Sequence, residues 1–234
     1  VVQRVLSPEE LGSYNAAWRI VMSVVPLFMV IATTFLSENM AESDDAGVEK
    51  GAHQALYMCL GLTVPIAAAA PFLAADVLAF VFGDELRGSH WLFVVLTFSI
   101  VCEVFLCILG MQVLLLRRRF KLLGTTMAVG ILAGSCFSWY FQKKFGVLGG
   151  ASGAFLGRLL CVLLIGWNLK SLVARLPARD YADIAVAAAF MTLALYFIPV
   201  HWHVLIKIPL AGSLYLAVFA YFQRAQIRAF VSRK

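Results

Sequence analysis

Charge is scarce in this chain. Only 14% of its residues are Asp, Glu, Lys or Arg, against 62% apolar. A soluble domain of ordinary composition carries about a quarter charged, so a water-soluble fold is excluded. The short alternating apolar–polar segments of a membrane β-barrel are also missing. No basic stretch precedes a short apolar core, so a cleavable signal peptide is not indicated. The chain opens VVQRVLS without an initiator Met, which suggests a piece of something longer. Disulfides are not expected: Cys59, Cys102, Cys107, Cys136 and Cys161 all fall inside apolar runs, where they act as small hydrophobes. There is no nucleophile elbow, no phosphate-cradling Walker loop and no His/Cys/Glu set at metal-ligand spacing. The chain therefore reads as no enzyme, with no catalytic residues, metal or cofactor. Its net charge of +6 is no nucleic-acid footprint, because the basic residues lie between apolar runs, where they orient helices.

What is present is long apolar segments. A bilayer core about 30 Å thick needs roughly 20 helical residues. Seven runs meet or approach that length, at about 17–36, 55–80, 91–116, 122–141, 147–169, 184–200 and 204–222. The expected fold class is all-α, a polytopic transmembrane bundle of about seven helices. The last two are short and joined by VHWHV, as in a tight hairpin. Pro26, Pro65 and Pro71 mark expected bends. No soluble domain is expected, although the acidic linker 37–53 has the makings of a short surface helix. With seven helices the linkers alternate sides. Twelve basic residues then share one side, namely Lys50, the Arg117, Arg118, Arg119 and Lys121 turn, Lys170, Arg175, Arg179 and the tail Arg224, Arg228, Arg233 and Lys234. Arg4, Arg87, Lys143, Lys144 and Lys207 share the other. The richer side is cytoplasmic, so the C-terminus is expected to be cytoplasmic and the EELGSY, FGDELRGSH and QKKFG phrases to face outward.

Charges inside the runs are the candidate site residues. Arg19 is read as standing a few residues inside the lipid boundary, after the carboxylates Glu9 and Glu10, which favour a helix N-terminus, and after a tight turn at Gly12 and Tyr14. It either snorkels to the headgroups or faces a watery cavity. Glu103 and Arg158 lie at matched depth, roughly 17 Å from the outer ends of their helices. A charge there costs at least about 2.5 kcal/mol against lipid. Both should point inward, as a structural ion pair or as the lining of a polar substrate path. Gly149, Gly153 and Gly157 recur every four residues on one helical face, which permits close helix packing. His201 and His203 flank Trp202 in an outward turn. They are interfacial residues, or two ligands of a metal site that nothing nearby completes.

The order of these phrases resembles that of polysaccharide-type flippases of the multidrug/oligosaccharidyl-lipid/polysaccharide (MOP) exporter superfamily. The phrases are LSPEELGSYNAAWRI, then FGDE at Phe82–Glu85, then the basic turn LLLRRRFK, then FGVLGGASGA, over about Leu6–Asn168. The resemblance implies the C-terminal lobe of such a transporter over residues 1–172, with the first lobe absent from this chain. Two trailing helices and a basic cytoplasmic tail would follow over residues 173–234. It implies a flippase that moves a lipid-linked oligosaccharide or polysaccharide precursor across the bacterial inner membrane by alternating access, with the cargo's polyprenyl tail in the bilayer. The implied partners are membrane lipid, that cargo, a first lobe carried in the same longer chain or a separate one, and other glycan-assembly proteins. Arg19 and Arg158 would meet its pyrophosphate or acidic sugars. An ion-coupled drug or metabolite exporter of the same superfamily is the second reading, and a membrane subunit of a glycan-synthesis complex the third.

Overall fold

A computed structural model describes residues 8–40, 45–199 and 202–222. Arg4, the linker residues 41–44, His201 and the basic tail from residue 223 onward lie outside the described residues. Among those described, every long element is a helix and there is no strand.

Helix α1 spans Pro8–Met40. It starts nine residues before the expected position, because the EELGSY phrase is its first turns and not a tight turn. Pro8 suits a first helical position, where its missing N–H would have no partner anyway, and the two following glutamates favour the positive end of the helix dipole. Helix α2 spans Asp45–Phe82 and passes through Pro65 and Pro71 without ending. The expected acidic linker is therefore largely the start of α2. The outward phrase DELRGS is a 3₁₀ turn, Asp84–Ser89. Helix α3 then runs His90–Phe105, widens to a π-helix over Leu106–Val113 and closes with Leu114–Leu116. It is apolar around most of its circumference, Glu103 and Gln112 apart, and most of its side chains are covered. Arg118, at φ 55°, turns the chain at the basic cluster.

The next helical stretch, Phe120–Asn168, folds back on itself at Gly146 (φ 58°, ψ −140°), a backbone state closed to other residues. It is two helices, α4 (residues 120–145) and α5 (residues 147–168), joined by one residue. The QKKFG loop expected here is helical up to that glycine. The two limbs touch backbone to backbone. A Cβ on Gly149, Gly153 or Gly157 would sit under 3.0 Å from the main chain of Phe141, Ser138 or Gly134. Ser138 Oγ donates to the Gly150 carbonyl across the seam at 2.9 Å. The glycine face expected from the four-residue spacing thus packs on its own hairpin partner, which supplies Gly130 and Gly134.

After a single turn at Lys170–Val173, α6 spans Ala178–Phe197 and α7 spans Val204–Phe222. Among the described residues six stretches are long and apolar enough to cross a membrane, and the break at Gly146 divides one of them into α4 and α5. The main core joins α1, α2, α3 and α5 around Phe28, Leu56, Leu96 and Ile108. A smaller cluster of Ala69, Leu73, Ala187, Met191, Ala211 and Tyr215 seats the α6–α7 pair on α2. The start of α1 and the α4–α5 turn share one end of the bundle: a Cβ on Gly146 would lie 3.4 Å from Glu10 Oε1.

Candidate functional site

The buried face of α1 is Ala17, Val21, Phe28 and Ala32. Its exposed face carries Gly12, Asn15, Arg19 and Ser23, recurring at three and four residues, then the apolar Pro26, Leu27 and Val30 before Thr33 and Thr34. The hydroxyls satisfy themselves on the helix: Ser23 Oγ donates to the Ile20 carbonyl at 2.7 Å and Thr34 Oγ1 to Val30 at 2.9 Å. Asn15 and Arg19 have no such partner among the described residues. Arg19 lies about 7 Å from the midpoint of α1, directly before the apolar run that begins at Ile20. An arginine exposed there either reaches the headgroups along its stem or meets water. Asn15, Arg19 and Ser23 make the first half of that face polar.

Glu103 and Arg158 come together: Arg158 Nε donates to Glu103 Oε2 at 3.2 Å. The guanidinium lies 5.3 Å from the centre of the Trp18 ring, and Trp18 is stacked on Tyr14 with ring centres 6.1 Å apart. Three helices thus meet at one charged, aromatic knot. The pair is not sealed; Glu103 is 33% and Arg158 24% exposed. Two opposite charges at one level neutralise one another, so either one alone destabilises the bundle. We expect Glu103→Arg and Arg158→Glu each to lose about 2 kcal/mol of stability. The double reversal should recover most of it, read as monodisperse protein after heating in detergent. A double variant no better than the singles would mean the two groups are not partners.

Four further ion pairs escaped the sequence reading, because their cations were assigned only to orienting helices. Lys207, only 7% exposed, donates to Asp76 Oδ2 at 2.6 Å, and Arg87 donates to Asp76 Oδ1 at 3.3 Å. At the opposite end of α2, Glu49 meets Arg175 at 3.1 Å and Arg117 at 3.5 Å. Nearby, His53 faces Asp180 at 3.3 Å and the Tyr181 hydroxyl at 2.9 Å. Together these fasten the α6–α7 pair to both ends of α2. An acid and a base on different runs at the same computed depth would have been the signal. Lys207 is an intrahelical, buried residue and not the linker charge expected.

Among the described residues no group of three His, Cys, Asp or Glu side chains is placed to hold a metal. His203 accepts from the Leu205 N–H at 3.4 Å and its ring meets Phe80 edge-on; its expected companion His201 lies outside the described residues.

The helix count and the continuous apolar lengths define a multi-pass membrane protein of all-α architecture. No family model matches the sequence, and no curated protein does. In three dimensions the chain is similar to the lipid II flippase MurJ in its inward closed conformation, with a TM-score of 0.81 and 18% identity over 93% of this chain and 48% of that one. The chain spans about half the length of that transporter, and the likeness establishes the fold.

Proposed function

We propose that this chain is one lobe of a flippase that moves a lipid-linked oligosaccharide precursor across a bacterial inner membrane by alternating access. The observation that carries the reading is the stripe of Asn15, Arg19 and Ser23, exposed in the first half of a helix of membrane-spanning length. That face lines a hydrated path shared with a first lobe, supplied by the rest of a longer chain or by a second polypeptide. Arg19 is the cation that meets the cargo's phosphate, through the two-pronged hydrogen bonding a guanidinium offers. The Glu103–Arg158 pair stands at the same level, on the flank of the path. Support for the cargo class comes from the MurJ-like fold, since MurJ is a flippase of a lipid-linked precursor. By the distribution of lysine and arginine, the RRRFK turn and the C-terminus are cytoplasmic, and residues 173–234 form an appendage to the lobe at 1–172.

Loss of the protein should leave the lipid-linked glycan on the cytoplasmic leaflet. Restoring the parent should clear it, while Arg19→Ala should clear it at least about tenfold more slowly, a loss of about 1.4 kcal/mol. Arg19→Lys keeps the charge but not the fork, and recovers part of the rate. Full activity of Arg19→Ala would reduce Arg19 to an anchor. Unchanged glycan with altered toxin resistance would replace this cargo with a soluble one.

A further inference from the structure

Between α2 and the α6–α7 pair lies a groove of about 610 Å³. It follows α2 from Tyr57 to Val77, about 30 Å at 1.5 Å per residue, between walls such as Leu62, Ile66, Ile208 and Leu216. The groove stops beneath the Asp76–Lys207 pair. Directly past that pair a polar cavity of about 530 Å³ opens, lined by Asp76, Asp84, Arg87, Trp202 and His203. On both helices the two spaces are adjacent: Val77 and Ile208 face the groove, while Phe80 and Val204 face the polar cavity.

Charge in the polar cavity is balanced and ordered by depth. Lys207 is committed to Asp76 in the interior. What faces the opening is Arg87, 56% exposed, and Asp84, 88% exposed, 3.8 Å apart. One guanidinium and one carboxylate therefore stand side by side over a hydrocarbon slot, with Trp202 at the depth where aromatic rings favour the membrane interface.

We propose that this paired cavity binds a zwitterionic aminophospholipid, phosphatidylethanolamine. One acyl chain lies in the groove, the phosphate sits on Arg87 and the primary ammonium on Asp84. The balance of charge selects the head. Phosphatidylglycerol brings a phosphate but sets no cation against Asp84. Phosphatidylcholine brings a cation with no N–H to donate. Arginine and phosphate form charge-assisted, two-pronged contacts, and the acyl chain exchanges lipid contacts for a wall of matching shape. The site is separate from the α1 stripe, so its occupancy does not depend on the cargo assigned above.

The test is native mass spectrometry of the chain in mild detergent, doped with equal amounts of dioleoyl phosphatidylethanolamine, phosphatidylglycerol and phosphatidylcholine. The ethanolamine lipid should be retained about tenfold over the other two, equivalent to about 1.4 kcal/mol. Arg87→Gln should abolish that preference. Asp84→Asn removes the carboxylate that receives the ammonium, while Arg87 stays beside Asp76, and should move the preference to phosphatidylglycerol. Gly212 lines the groove and has no atom within 4 Å of where a Cβ would stand. Gly212→Leu should therefore fill the groove and reduce retention of all three lipids, with helicity and elution volume unchanged. Equal retention of the three lipids by the parent would overturn the proposal. So would undiminished retention in a well-folded Gly212→Leu, or replacement of the ethanolamine lipid by an equal amount of polyprenyl phosphate.

Discussion

Gly153→Ala should pry α4 from α5 and cost the folded state about 3 kcal/mol, the upper end of what overpacking costs in a tight core. A single methyl group is enough, because its carbon would meet the backbone of Phe137 and Ser138, which cannot swing aside as a side chain can. Hydrophobic force between membrane helices is weak, so close backbone contact and its dispersion energy are what hold this pair together. The internal control is Gly166→Ala in the same helical stretch, where a Cβ meets nothing within 4 Å. There the gain in helix propensity is about 1 kcal/mol in the opposite direction. Equilibrium unfolding in bicelles should separate the two variants by about 4 kcal/mol, the sum of those opposed effects. If Gly153→Ala unfolds with the parent, the hairpin is not held by this seam.

Lys207→Met should cost about 3 kcal/mol and loosen the first turn of α7. The ammonium is almost fully covered and spans from α7 to α2. Removing it leaves the Asp76 carboxylate, 19% exposed, with only the surface guanidinium of Arg87 beside it. Asp76→Asn should be as harmful for the converse reason. Asp76→Asn combined with Lys207→Met removes both charges and should approach the parent, since a buried ion pair adds little over well-packed neutral groups. Amide exchange at Val204–Ile208 reports the loosening directly. A double variant as unstable as either single would show that the two groups do not act as a pair.

Much of the architecture was legible in the residues. Runs of about 20 apolar residues set the number of helices, and the matched depths of Glu103 and Arg158 anticipated their contact. The start of α1 was not legible from hydropathy, because Glu9, Glu10, Ser13 and Asn15 are polar yet sit in a helix that projects past the apolar run. The α4–α5 turn escaped for a related reason: Lys143 and Lys144 looked like loop residues, whereas their ammonium groups lie over Trp139 and Tyr140 at 3.7 and 4.9 Å along one helix. Lysine stems that snorkel keep a helix running through the interface. The charge pairs along α2 were hidden because Glu49, Asp76 and Lys207 lie at or near the ends of their apolar runs, where a charge is ordinary.

The widened segment at Leu106–Val113 has a consequence for reading the rod it interrupts. One additional residue in a helical turn swings everything beyond it by about 100°. A wheel drawn straight from His90 to Leu116 therefore misplaces one half against the other. With the widening, one half aims Glu103 at α5 while the other delivers Arg117 to Glu49 on α2. Deleting a single residue there would spare the apolar character of the rod and still point its two charged ends at the wrong neighbours.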